Sequence, residues 1–468
     1  MANYVPCTIP PRPGMTKNRI VEFMTVRVRF APSPTGYIHA GNVRAAIVTW
    51  LFARKNGGHF LLRIDDTDLE RSKDIYEQDI EAGMKWLGLD WDDKARQRDR
   101  KDRYDAMIQK LKDDGRLYPC WESQEELALK RKTLLSRGLP PVYDRSALKL
   151  TEEQKQAFNH PPHWRFKMEA APIEWNDLVR GPVKFDGALI SDPVLIREDG
   201  SPLYHLCSVI DDIDYKTTHI VRGEDHVSNT AMHIQMFKAF GAVLPAFAHL
   251  PMITDSEGGK LSKRLGSLSV KDLRENEGLE PMAIISLMAR LGSSDPIEPF
   301  RKIQDVIDSF DLSRFSKGAP KFDMEELLRL NAKIIHETPY ADVKLRLADL
   351  GLAELDEAFW LAVRPNLSKL GDIGEWWTVA NGPVTPVVDD ADFIRQAATL
   401  MPPAPWDGDT WKLWTDAVKN ATGRKGKELF MPLRKALTGR EHGPELAVLL
   451  PLIGPEKALG RLERKTAA

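Results

Sequence analysis

The segment Val26-Arg27-Val28-Arg29-Phe30 alternates apolar and basic side chains, the period-two pattern of a strand. Pro32, Pro34 and Gly36 follow at once and exclude regular structure there. Gly41-Asn42 then precedes Val43–Arg54, a run rich in helix formers, with Asn42 the expected N-cap and Gly57-Gly58 the stop. Phe60–Ile64 reads as the next strand. Strand, loop, helix and strand within about 40 residues make a βαβ unit, which predicts a parallel sheet.

From about Arg100 to Trp175 the pattern changes. Charged helical segments are expected at Glu122–Lys132 and Glu152–Phe158, with prolines at 140, 141, 161 and 162. This reads as an insertion between two halves of the sheet. Strand-like runs return at Val194–Ile196 and His219–Val221, and a helix is expected over Thr230–Phe240. Beyond residue 272 the pattern is almost entirely helical, with loops at Ser293–Pro299, Gly382–Pro386 and Pro402–Asp409. No repeat or low-complexity tract interrupts it.

Composition narrows the class. A chain of 468 residues has room for about three domains. Hydrophobic residues at 42% against 29% charged exclude a disordered or collagen-like chain. The 66 Lys+Arg and 68 Asp+Glu leave a formal charge of −2, so bulk charge does not hold nucleic acid and any such contact is local. Three cysteines (Cys7, Cys120 and Cys207) without a C-x-x-C argue against a disulfide framework and for a cytoplasmic location. No apolar run approaches the ~18 residues of a membrane span. The first 23 residues carry Pro10, Pro11, Pro13 and Gly14 and no apolar signal core. They read as a flexible extension, with Met24 opening the folded part.

Four segments carry candidate chemistry. Pro32-Ser33-Pro34-Thr35-Gly36-Tyr37-Ile38-His39-Ala40-Gly41-Asn42 lies between a strand and a helix, where open α/β sheets bind ligands and a helix N-terminus favours phosphate. His39 is a donor there and Gly41 permits close backbone approach; a proline-rich turn with an incidental histidine is the alternative. Gly258-Gly259-Lys260-Leu261-Ser262-Lys263-Arg264 places three cations behind two glycines, which suits a mobile loop over polyphosphate or a solvated basic loop. It is not a P-loop, since Thr254 stands where glycine is needed. Arg63-Ile64-Asp65-Asp66-Thr67-Asp68 offers carboxylates for Mg²⁺, for an ammonium group or for helix capping. Tyr204–Asp212 with Arg222-Gly223-Glu224-Asp225-His226 adds an arginine after a strand, shaped to clamp a carboxylate.

Together these segments resemble a class I aminoacyl-tRNA synthetase, and more narrowly a bacterial-type glutamyl-tRNA synthetase. Pro32–Asn42 matches the family's HIGH region as P-S-P-T-G-x-x-H-x-G-N, and Lys260–Arg264 its KMSKS loop as K-L-S-K-R. Arg63–Asp68 resembles R-I-E-D-T-D. Arg96-Gln97-Arg98 with Tyr104 resembles the start of the acceptor-stem insertion, and Pro432–Gly439 a C-terminal signature. The resemblance implies an α/β fold: a Rossmann-type parallel-sheet catalytic domain (24–100 and 191–271), an inserted acceptor-stem-binding subdomain (101–190), a helical stem-contact domain (272–335) and a helical anticodon-binding domain (336–468).

The implied activity is ATP-dependent ligation of L-glutamate to tRNA-Glu through glutamyl-adenylate. His39, Lys260 and Lys263 are the implied catalytic residues. Gly41, Asn42, Asp225 and Ser262 join them around ATP, and Mg²⁺ is expected with ATP. Arg29, Ala31, Ser33, Asp65, Tyr204, Ser208 and Arg222 line the implied glutamate pocket, Asp65 toward the ammonium and Arg222 toward the side-chain carboxylate. Three departures stand out. Asp65 replaces the family's usual glutamate, Ser208 stands where some relatives have asparagine, and Asn42 replaces the last histidine of HIGH. The family's optional zinc cluster is also missing, because Cys120 alone stands near Leu117–Glu122 and cannot make a tetrahedral site.

Between Lys412 and Arg440 eight Lys/Arg face two acids, a local excess that suits RNA phosphates. Arg424, Lys425, Lys427, Arg434 and Lys435 are the candidate tRNA contacts, with a solvated helix face as the alternative. Trp360, Trp376 and Trp377 suit base stacking or a buried core. A monomer with no membrane contact is expected. Charging of tRNA-Gln, and a non-catalytic RNA-binding paralogue, are the competing readings.

Overall fold

The computed structural model describes residues 25–255, 259 and 269–463. The expected extension over 1–23 and the residues Lys260, Ser262, Lys263 and Arg264 lie outside the described residues. The chain divides into two compact units. One holds the described residues up to 272 with 285–297 and 302–323; the other holds 273–284, 298–301 and 324 onward.

In the first unit, β1 (Arg27–Phe30) pairs in parallel with β2 (His59–Ile64), and β2 in parallel with β3 (Asp93–Arg96). The Ala40–Lys55 helix is the β1–β2 crossover. The predicted βαβ unit is therefore present. The N-cap differs from expectation: it is His39 (φ −99°, ψ 165°), not Asn42. His39 is held extended by an antiparallel bridge to Ser269, and its carbonyl already accepts the Val43 amide at 3.0 Å. Asn42 thus falls inside the first turn.

The stretch read as a charged helical insertion contains more strand than its composition suggests. β4 (Leu117–Cys120), β5 (His163–Phe166) and β8 (Val194–Ile196) form an antiparallel sheet. β8 is the strand expected at Val194–Ile196; β4 and β5 are too short for a period-two pattern to stand out among the Glu and Lys. The helical parts carry their own start signals, with capping boxes at Ser123/Glu126 and Thr151/Gln154. A hairpin of β6 (Ile173–Asp177) and β7 (Gly181–Phe185) joins a second sheet. There β10 (Ala246–Leu250) lies parallel to both β6 and β9 (His219–Gly223).

The two parallel groups adjoin through Thr218. Its amide donates to the Arg27 carbonyl, and its Oγ1 accepts the Arg27 amide, each at 2.8 Å. Strand order thus runs outward from β1 to β2 and β3 on one side, and from β9 to β10 on the other. Ligands of open α/β sheets bind at such a switch point, beyond the carboxyl ends of the strands.

The second unit is helical. Trp360 and Trp414 are fully buried, and each satisfies its indole N–H on a carbonyl, of Thr338 at 2.9 Å and Ala397 at 2.8 Å. Trp376 belongs to the same core and Trp377 packs against it, so their rings are structural and not a stacking platform. Gly443 (φ +143°) lies against Trp376, where an added Cβ would come within 1.9 Å of the ring. Gly443→Ala is expected to destabilise this unit by about 2–3 kcal/mol, from the clash and the disfavoured φ together. Thermal unfolding checks this; an unchanged Tm would remove the clash from the packing. No helix of the described residues is long and apolar enough to cross a membrane.

Candidate active site

The Pro32–Gly36 loop leaves β1 and is tied down on both sides. The Pro32 carbonyl accepts the Asp65 amide and the Pro34 carbonyl the Lys73 amide, each at 3.0 Å. His39 then opens a 16-residue helix with no acidic side chain in its first turn and Arg54 and Lys55 in its last. The leading N–H groups have no intrahelical acceptor, and the helix dipole adds positive potential. His39 is exposed and makes no capping bond. Partial burial lowers the imidazole below its usual value, so it is a neutral donor near pH 7. The first turn itself carries no carboxylate to compete with an anion; Asp79, from the Asp74–Trp86 helix, accepts the Ile38 amide just before it at 3.2 Å.

Gly41 has a specific reason to be glycine. A Cβ there would lie 3.2 Å from His39 Cε1 and 3.3 Å from Nδ1. Alanine in an early helical turn gains up to about 1 kcal/mol in propensity, yet it would push the imidazole aside. Gly41→Ala is therefore expected to leave Tm level or raised while KM for ATP rises on the order of tenfold. Steady-state kinetics beside a melting curve separates the two effects; an unchanged KM would free the ring from this constraint.

Behind the loop lies a buried charge cluster. Arg63, at the end of β2, donates to both oxygens of Asp65 (2.7 and 3.1 Å), to Ser208 Oγ (3.1 Å) and to Asp212 Oδ1 (3.0 Å). Arg29, from β1, donates to the same Asp212 oxygen at 2.9 Å. Burial pushes the Asp65 carboxyl up to about 6 despite its arginine partner. Asp211 accepts from Gln97 (2.8 Å), Arg100 (2.7 Å) and Tyr104 (3.0 Å), which ties the Tyr204–Asp214 helix to the Lys101–Asp113 helix. The cluster fixes Arg29, Asp65 and Ser208 as one body.

Arg222, at the carboxyl end of β9, is buried beside this body, near enough for Arg29 to repel its charge. Its polar partners are neutral. Nε donates to His249 Nε2 at 3.3 Å, Nη2 to Thr230 Oγ1 at 2.6 Å and Nη1 to His233 Nδ1 at 3.5 Å, with the Tyr204 hydroxyl alongside. Burial lowers His233 and His249, and lowers His205 to about 4, so these rings carry no charge near neutral pH. Burial also lowers Arg222. Among the described residues no carboxylate pairs with this guanidinium. Asp212, already bonded to Arg29 and Arg63, attracts Arg222 only from beyond direct contact, and an anionic ligand group in direct contact would offset the rest of its burial cost.

The expected site residues are thus largely brought together. Arg29, Asp65, Tyr204, Ser208 and Arg222 surround the switch point, with the His39 loop leading into it. Ala31 is half-buried, and Ser33 is exposed. Asp225 is exposed just beyond β9, its Oδ1 folded over Gly223. Sequence reasoning gave no role to Arg63, Asp211, Asp212, Thr230, His233 or His249. The clustered histidines 205, 226, 233 and 249 were the available signal.

In the helical unit the candidate RNA contacts divide. Arg424 pairs with Asp390 at 2.5 Å and stacks on Phe393, Lys435 pairs with Asp389 at 2.6 Å, and Arg434 donates to the Pro444 carbonyl at 2.9 Å. Lys425 and Lys427 are exposed, as are Lys412 and Lys419. Cys120 is buried in a small cluster with Tyr118, Tyr143 and Ala147, and burial pushes its thiol up to about 12.

The chain resembles known proteins along most of its length. Residues 25–329 match the family "tRNA synthetases class I (E and Q), catalytic domain", and residues 389–466 match "Anticodon binding domain". A glutamate–tRNA ligase of Azospirillum brasilense is 56% identical over 95% of this chain and 100% of its own. One from Maricaulis maris is 53% identical over 94% of this chain and 100% of its own. The crystal structure of a glutamate tRNA ligase from Elizabethkingia meningosepticum, in complex with its amino acid, superposes with a TM-score of 0.80. It is 28% identical, covering 94% of this chain and 98% of that one. The chain belongs to the glutamate–tRNA ligases, a family of class I tRNA synthetases.

Proposed function

We propose that the chain joins L-glutamate to the 3′-terminal adenosine of tRNA-Glu in two steps, through glutamyl-adenylate. The observation that carries this is Arg222, a buried guanidinium whose ring of neutral partners leaves its charge for a substrate carboxylate. Glutamine offers no second anionic oxygen, and an arginine left unmatched in a closed pocket is penalised.

Each residue has a part in positioning and charge stabilisation. Arg222 takes the side-chain carboxylate, with Tyr204 over it. Asp65 receives the α-ammonium on lone pairs that Arg63 does not use, and Arg29, Ala31, Ser33 and Ser208 line the pocket. His39 and the helix start at Gly41 and Asn42 hold the phosphates of ATP, which arrives with its magnesium as substrate; Asp225 lies at the rim. The substrate α-carboxylate attacks the α-phosphorus and pyrophosphate leaves, its growing charge met by Lys263 and Lys260, with Ser262 on the same loop. The 2′-OH of the terminal adenosine then attacks the activated carbonyl, and AMP leaves.

The inserted residues 101–190, apart from the β6–β7 hairpin that joins the β9–β10 sheet, contact the acceptor stem, 272–335 the stem above the anticodon and 336–468 the anticodon. Lys425 and Lys427 are the phosphate contacts, with Arg424, Arg434 and Lys435 reached only if they exchange their present partners. The protein works as a cytoplasmic monomer. Charging of separate tRNA-Glu and tRNA-Gln transcripts with glutamate and with glutamine tests the reading. Glutamate on tRNA-Glu is expected. Glutamate on tRNA-Gln as well would widen the tRNA range, and glutamine charging or no charging would overturn the proposal.

A further inference from the structure

Asp177 closes β6, 45 residues before Arg222 in sequence (222 less 177), and its carboxylate is completely buried. One oxygen accepts three backbone amides, of Val179 (3.1 Å), Arg180 (3.0 Å) and His249 (3.1 Å). The other accepts the His249 Nδ1 proton. That bond fixes the tautomer: with Nδ1 protonated, Nε2 is an acceptor. Burial would raise Asp177, but the bonds from His249 and the backbone hold it down to about 2, so the carboxylate stays charged and the imidazole neutral.

His249 Nε2 faces two groups, Arg222 Nε at 3.3 Å and Thr230 Oγ1 at 2.8 Å. Thr230 Oγ1 in turn accepts from Arg222 Nη2 at 2.6 Å. Its own proton is thereby directed to His249 Nε2 or to the His226 carbonyl at 3.2 Å. Two donors along one edge of the guanidinium are held by neutral acceptors whose orientation traces back to Asp177.

The alternative arrangement shows what this achieves. A carboxylate placed directly on Arg222 would orient it equally well but would neutralise it and repel an incoming carboxylate. Here the anchoring charge is set one side chain away. We propose that Asp177, His249 and Thr230 form a positioning relay that aims Arg222 without neutralising it, and so sets the preference for glutamate over uncharged amino acids. The relay rests on the reading of Arg222 as the side-chain carboxylate clamp.

Steady-state aminoacylation of tRNA-Glu by the full chain tests it, with glutamate and ATP varied separately. Thr230→Val and Asp177→Asn are each expected to raise KM for glutamate about 5–20-fold, with KM for ATP and kcat within about twofold. Thr230→Ser restores the wild-type KM. An unchanged KM for glutamate in Thr230→Val, or equal shifts in both KM values and kcat, would overturn the relay. Should Asp177→Asn fail to fold by circular dichroism, the Thr230→Val and Thr230→Ser pair decides alone. Arg222→Lys is the control: if it leaves KM for glutamate unchanged, the clamp itself fails. If it raises KM while the Thr230 and Asp177 variants do not, only the relay fails.

Discussion

Arg222→Met is expected to raise KM for glutamate about 30-fold or more while the protein stays folded. Removing one partner of a buried, hydrogen-bonded charge pair costs about 2–5 kcal/mol, and each 1.4 kcal/mol is a factor of ten. Methionine keeps the apolar stem and fills most of the volume. His249 and Thr230, 2.8 Å apart, can then satisfy one another. Because the wild-type cation is buried without a carboxylate in direct contact, its removal should leave Tm level or higher, the reverse of an ordinary core truncation. Amino-acid-dependent aminoacylation with a parallel melting curve reads both quantities. A large fall in Tm with KM for glutamate unchanged would make Arg222 a structural arginine.

His39→Ala is expected to lower adenylate formation on the order of 10²-fold, as for loss of one preorganised donor to a developing charge. The ring is held neutral by its partial burial, so its contribution is a hydrogen bond and not a positive charge. His39→Asn, a neutral donor of similar reach, should therefore recover most of the loss. ATP–pyrophosphate exchange with glutamate and tRNA-Glu present measures this. Equal loss in the two variants would require a proton-transfer or cationic role, and a loss below threefold would remove His39 from the phosphates.

Much of the catalytic half was legible because its signals are local. The alternation at residues 26–30 gave β1, and the helix formers before Gly57 gave the crossover helix. The register of the helix start was not legible. Asn42 has the better intrinsic cap, but the bridge between His39 and Ser269 moves the start three residues upstream, and no local propensity encodes a contact 230 residues away (269 less 39). Alternation also marked Arg29 as a polar position, yet it is buried, because Asp212 meets it 183 residues later. The His249–Asp177 pair spans 72 residues and leaves no spacing to read. The strands of the insertion hid for a different reason. Four-residue segments such as His163–Phe166 hold too few periods to compete with the charged helices around them. For tryptophans 360 and 376 the sequence left stacking and core both open, and their burial decides for core. The basic tract after Lys412 was legible as charge, but not the acids Asp389, Asp390 and Glu441, which pair with part of it in the folded unit.

The most direct measurement is a crystal structure of the full chain with L-glutamate bound. The side-chain carboxylate should lie within hydrogen-bond distance of the Arg222 guanidinium, with His249 and Thr230 still on its far edge and the ammonium near Asp65. A glutamate whose side chain sits elsewhere, leaving Arg222 with only its histidine and threonine partners, would contradict the assignment of that arginine and the specificity argued from it.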